Sequence, residues 1–174
     1  MKKIIIIIVI IAILAGGYLL YKNANQKNPP RQTPGQSLGG NLNDFKFLGQ
    51  KGDNLVLENG AVKIDALVFN DSQAHFYNVQ IPLSKTVYFF IVKDKNGIYR
   101  AAANACQVCY GVRKGFHQEG EEIVCNNCGN RYPIEKIATE KGGCNPAPIN
   151  PNLKVSNGQI TISQTELEQV LNLF

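Results

Sequence analysis

The sequence predicts a mainly β fold, a β sandwich or small barrel, led by one transmembrane helix and closed by a short C-terminal helix. Three observations predict it. Tyrosine and phenylalanine total fifteen with no tryptophan, and β-branched residues are plentiful, which favours strands over helices. Short apolar segments with period-two alternation recur between Gly, Asn and Asp turns. Eighteen uncharged residues, Ile4 to Tyr21, follow Met1, Lys2 and Lys3. The 174 residues are 44% hydrophobic and 18% charged, which suits one globular domain with a real core.

The N-terminal stretch comes first. As a helix, Ile4 to Tyr21 spans roughly 27 Å, close to the thickness of a bilayer's hydrocarbon core. Tyr18, Tyr21 and Lys22 suit the far interface. A cleaved signal peptide is the competing reading, with Ile4–Leu14 as its apolar region and Ala15, Gly16 and Gly17 as the small-residue site. The apolar run continues through Leu19 and Leu20, which favours an uncleaved anchor over residues 1–21. Residues 22–40 are rich in Pro, Gln, Asn and Gly and read as a flexible tether. The predicted domain covers residues 41–174. The signal-like order of charge and apolar run places it on the extracytoplasmic face of the cell membrane, held by a single pass.

The net charge of +5 carries less than it suggests. Residues 1–40 hold Lys2, Lys3, Lys22, Lys27 and Arg31 with no acid, whereas residues 41–174 hold 13 basic and 13 acidic side chains. The excess flanks the apolar stretch, so it points to a membrane and leaves no nucleic-acid footprint.

In the domain, Phe45–Phe47, Leu55–Leu57 and Val62–Ile64 read as strands divided by turns at Gly52-Asp53 and Asn59-Gly60. His75–Val79 and the apolar Val87–Val92 follow, the latter paired with Ile98–Ala101 across a turn ending in Asn96-Gly97. Leu153–Val155 and Gln159–Ile162 make a last hairpin around Asn157-Gly158. Ser163 with Glu166 forms a capping box for a short helix that presents Leu167, Val170, Leu171 and Phe174 on one face.

All five cysteines lie between positions 106 and 144, in a module spanning 104–148. Cys106 and Cys109 form one C-x2-C pair, Cys125 and Cys128 a second, with fifteen residues between the pairs and fifteen more before Cys144. Two short loops presenting paired sulfurs, joined by a hairpin, suit a four-thiolate metal site of the zinc-ribbon kind. The spacing names no metal. Cys106, Cys109, Cys125 and Cys128 are the candidate ligands. Cys144 is a further candidate, as replacement ligand, metal entry point or redox partner, against a plain role as loop anchor. Gly129 after Cys128 suits a knuckle with positive φ. His117, between the pairs, is a candidate ligand or proton-coupled group, and His75 reads as a structural histidine.

Three chemistries fit these thiols: an iron–sulfur cluster, a structural zinc, or thiol–disulfide and metal-relay work. Nothing resembles a Ser-His-Asp set, a phosphate-binding loop or a dinucleotide glycine fingerprint, so an accessory role is favoured over an enzyme. The N-terminus has no twin arginine, so export would precede insertion of a cluster.

The run from GIYRAAANA through both cysteine loops to LKVSNGQITI resembles Rieske ferredoxin domains, with Cys109 and Cys128 where those carry histidines. That likeness implies a Rieske-like layout in which Cys106 and Cys125 hold one iron and Cys109 and Cys128 the other. More specifically, AHFY (74–77), ACQVCY (105–110), VCNNCGNRYP (124–133) and GGCNPAP (142–148) resemble the FtrD-like family of membrane iron–sulfur proteins. The resemblance implies an exported iron–sulfur or metal-binding domain that passes electrons or iron to an integral-membrane redox or iron-transport partner.

Overall fold

A computed structural model describes residues 46–174, except residue 83. The predicted anchor (1–21) and tether (22–40) lie outside the described residues. Among those described, no helix is long and apolar enough to cross a membrane.

Over the described residues the fold is mainly β, built from three sheets. Its centre is a five-stranded sheet of β1 (Asp53–Leu55), β3 (His75–Gln80), β4 (Thr86–Lys93), β5 (Tyr99–Cys106) and β9 (Pro146–Leu153), in that spatial order. β1 and β3 run parallel, and the other neighbours are antiparallel. A second sheet joins β10 (Val155–Ser156), β11 (Gln159–Ser163) and β2 (Ala61–Asp65), and a third joins β6 (Phe116–Glu119), β7 (Glu122–Cys125) and β8 (Arg131–Pro133).

The alternation along β4 and β5 explains this arrangement. Val87, Phe89 and Ile91 enter one core with Ala101, Ala103 and Ala105, while Phe90 and Val92 enter another with Ala102 and Cys106. The central sheet is therefore covered on both faces, which is why β4 reads as an almost unbroken apolar run. The first core takes Val62, Ile64, Ile160 and Ile162 from the second sheet and Leu167, Val170 and Phe174 from the C-terminus. The second takes Phe116, Ile123 and Cys125 from the third sheet.

No barrel closes among the described residues, because the central sheet keeps β1 and β9 as separate edges. The expected strand at Phe45–Phe47 is absent over the part described. Leu48 and Gly49 donate their N–H groups to the Arg113 carbonyl, and Phe47 stacks on Tyr88 with ring centroids 4.0 Å apart. Packing onto the core, not a ladder, fixes this segment. β1 likewise stops at Leu55, and Val56 is exposed. β5 runs past its expected end to Cys106, which delivers the first thiol. The capping box is present: Ser163 Oγ accepts from the Glu166 N–H, and Glu166 accepts from the Ser163 N–H, opening α1 (Gln164–Glu168).

The β4–β5 turn is held by a buried ion pair. Asp94 accepts two bonds from Arg100 and two more from the Asn96 and Ile98 N–H groups, while Arg100 also donates to the Pro151 carbonyl. Burial alone would raise the Asp94 carboxyl. The hydrogen bonds from Ile98, Arg100 and Asn96 and the guanidinium charge together outweigh it and hold the carboxyl below its ordinary range. A carboxyl depressed in the folded state stabilises above its unfolded pKa, and the contribution fades as pH falls through the folded value. Asp94→Ala should cost ~3 kcal/mol in urea unfolding at neutral pH, because it strands a buried guanidinium. The difference from the parent chain should shrink below about pH 4.

Candidate metal centre and family

The thiols arrive from three places. β5 carries Cys106 to its end, and a tight loop brings Cys109 back over it, with the Cys109 N–H donating to the Cys106 Sγ at 3.4 Å. Backbone N–H groups aimed at sulfur are a common feature of metal-binding knuckles, where they steady a thiolate. The β6–β7 hairpin then returns the chain so that Cys125 closes β7 opposite Phe116. Cys125 accepts from the Gly129 N–H and donates to the Asn130 carbonyl, and Gly129 takes φ +74°. The expected positive-φ turn after Cys128 is thus present, though its N–H serves a carbonyl.

Three sulfurs meet. The Sγ atoms of Cys106, Cys109 and Cys125 all lie within 4.8 Å of one another, and Cys109 and Cys125 are 3.7 Å apart. Four thiolates around one ion at ~2.3 Å would be about 3.8 Å apart, so the contact has the length of a tetrahedral edge. The Rieske-like layout divides Cys109 and Cys125 between two irons. A void of about 10 Å³ opens beside the three, lined also by Tyr110, Gly115 and Asn127. All five cysteines are free thiols.

Cys128 is exposed and outside this close triad, and Cys144 is half-buried. Cys144 interacts with both Cys106 and Cys128. Its loss of solvent and these neighbouring sulfurs raise its pKa. Burial first, then the side chains of Cys106 and Cys125, push the Cys109 thiol far up. Crowded thiols of this kind hold their protons until a cation replaces them.

The loops are braced by polar groups that spacing alone does not single out. Asn104, fully buried, accepts from the Phe116 N–H at 2.7 Å and donates to the Gln50 carbonyl at 2.8 Å. Gly115 has φ +63°, and a Cβ there would meet Asn104 Oδ1 at 2.4 Å. Asn126 joins the two loops, donating from its side chain to the Lys114 carbonyl and from its backbone to the Gly115 carbonyl. Tyr132, in β8, is the second group missed. Its hydroxyl is buried without a hydrogen-bond partner; Asn130 lies near without completing one. Burial, together with the nearby sulfurs of Cys106, Cys128 and Cys144, pushes its pKa up to about 12.

The histidines are occupied elsewhere. His117 bonds Asn126 Oδ1 through Nδ1 and Glu119 through Nε2, so neither nitrogen faces the sulfurs. His75 pairs with Asp71 and packs edge-on against Phe69, the structural role its sequence context suggested.

Residues 69–174 match the profile of the family described as membrane iron–sulfur containing protein FtrD-like. The chain belongs to the FtrD-like family. No curated protein and no solved structure matches it. Membership makes this a membrane-associated family of metal-binding or iron-transport character, and the cysteine cluster is compatible with it.

The donor set fits an iron–sulfur group or a metal ion, since three sulfurs already converge and two more stand beside them. Asn104→Ala should leave the Phe116 N–H buried and unpaired, lowering stability by about 2 kcal/mol in denaturant titration. The same variant should bind less metal per chain by elemental analysis, because the first loop loses its brace.

Proposed function

We propose that the domain holds an iron–sulfur centre on Cys106, Cys109, Cys125 and Cys128 and serves electron transfer or iron transport. Its partner would be an integral-membrane redox or iron-transport protein. The single observation behind this reading is the convergence of three sulfurs within 4.8 Å, in a chain of the FtrD-like family. An iron–sulfur group, when bound, would supply a one-electron couple, and four thiolates set it at low potential compared with mixed histidine ligation.

The chain's own residues do the rest. β5 and the β6–β7 hairpin hold Cys106 and Cys125 buried, which keeps water from two ligand sulfurs. Cys109 is half-buried and Cys128 exposed, so one edge of the thiol set faces outward, where a partner could approach. Residues 1–21 would anchor this domain and 22–40 tether it, with residues 41–174 on the extracytoplasmic side.

A structural zinc is the second reading, favoured by a specific observation. The 3.7 Å sulfur contact and the small void beside it suit one tetrahedral ion without any spreading of the loops.

The full chain, purified anaerobically in detergent, separates the two. Iron with acid-labile sulfide and a brown visible spectrum is the expected result. A colourless protein with a single zinc would replace it with the second reading. Because metal binding displaces thiol protons, loading should weaken as pH falls; equal metal content across pH 5–8 would contradict thiolate ligation.

A further inference from the structure

We propose that Cys128 and Cys144 share one ligand position and exchange at it, so that the centre always has one thiol in reserve. The inference rests on the metal-centre reading above and adds a second occupant for its outermost position.

The number of sulfurs exceeds the number of places. Cys106, Cys109 and Cys125 make the close triad, and a four-thiolate centre needs one more. Two candidates stand there. Cys128 comes from the second loop and is the exposed one; Cys144 comes from a third loop and interacts with both Cys106 and Cys128.

The third loop is tied to the first. The Gln107 N–H donates to the Asn145 carbonyl at 3.1 Å, and the Gly142 N–H donates to Gln107 Oε1 at 2.8 Å. Pro146, two residues after Cys144, pairs with Cys106 across the β5–β9 ladder. Cys144 is therefore held beside the centre by its neighbours. Gly142 and Gly143, both at positive φ, turn the chain into Cys144, and a Cβ at either would meet nothing within 4 Å.

A second observation points to the same place. Among the described residues, two side-chain polar atoms are buried without a partner: the Tyr132 hydroxyl and Asn145 Oδ1. Tyr132 lies near Cys106, Cys128 and Cys144, and Asn145 adjoins Cys144 in the chain. Buried polar atoms are rarely left unpaired. A thiol that leaves the metal needs hydrogen-bonding company, and the Tyr132 hydroxyl, near Cys106, Cys128 and Cys144, can donate to it.

The exchange is balanced without any redox agent. The incoming thiol gives its proton to solvent as its sulfur–metal bond forms. The outgoing thiolate takes up a proton as its bond breaks, and no electron moves.

The test uses the metal-loaded full chain under argon, treated with iodoacetamide and mapped by mass spectrometry. The expected result is one label per chain, divided between Cys128 and Cys144, with Cys106, Cys109 and Cys125 protected. Cys128→Ser and Cys144→Ser should each keep the parent metal content, and the double variant should lose at least half of it. Labelling of only one of the two, with metal loss on replacing the other alone, would overturn the exchange while leaving the centre itself in place. Labelling of all five thiols in chains carrying the parent metal content would overturn the centre and the exchange together. The wild-type labelling pattern does not depend on whether any variant folds.

Discussion

Three sulfur atoms within 4.8 Å of one another would repel as thiolates, and a cation among them would relieve that repulsion. That constraint governs the second core. Without an ion, Cys106 and Cys125 pack as small buried groups beside Phe116, Ile123 and Phe90. With one, the same atoms could become ligands without a new backbone path, because β5, β7 and the bracing asparagines already bring them together. On the proposed reading, the loops would serve as a preformed socket.

The scaffold makes that convergence economical in length. A strand of alternating faces carries Ala101, Ala103 and Ala105 into one core and Ala102 and Cys106 into the other. Small side chains on β5 let sheets approach from both sides. The β6–β7 hairpin then needs only four residues in each strand to carry the chain from the first thiol pair to the second.

Much of this was legible in the sequence. The two C-x2-C pairs announced the meeting of Cys106, Cys109 and Cys125 but not that Cys128 stands outside it, the apolar run of β4 announced a strand covered on both faces, and Ser163 with Glu166 announced the terminal helix. What was hidden depended on contacts between residues far apart in the chain. Asn104 looks like any polar residue in an alanine run until Gly115, eleven positions later, is seen packed on its amide. Phe47 looks like part of a strand, yet its partners are Tyr88 and Phe174. Tyr132 has no pattern around it that reveals an orphaned hydroxyl. Periodicity reports which face a side chain takes, not which distant group it meets.

The first core contains no cysteine. Val62, Phe69, Phe89, Ile160 and Leu167 close around one another without any sulfur. This apolar body can thus complete itself without the thiols. Were a metal taken up at the thiols, folding of this core would not have to wait for its supply.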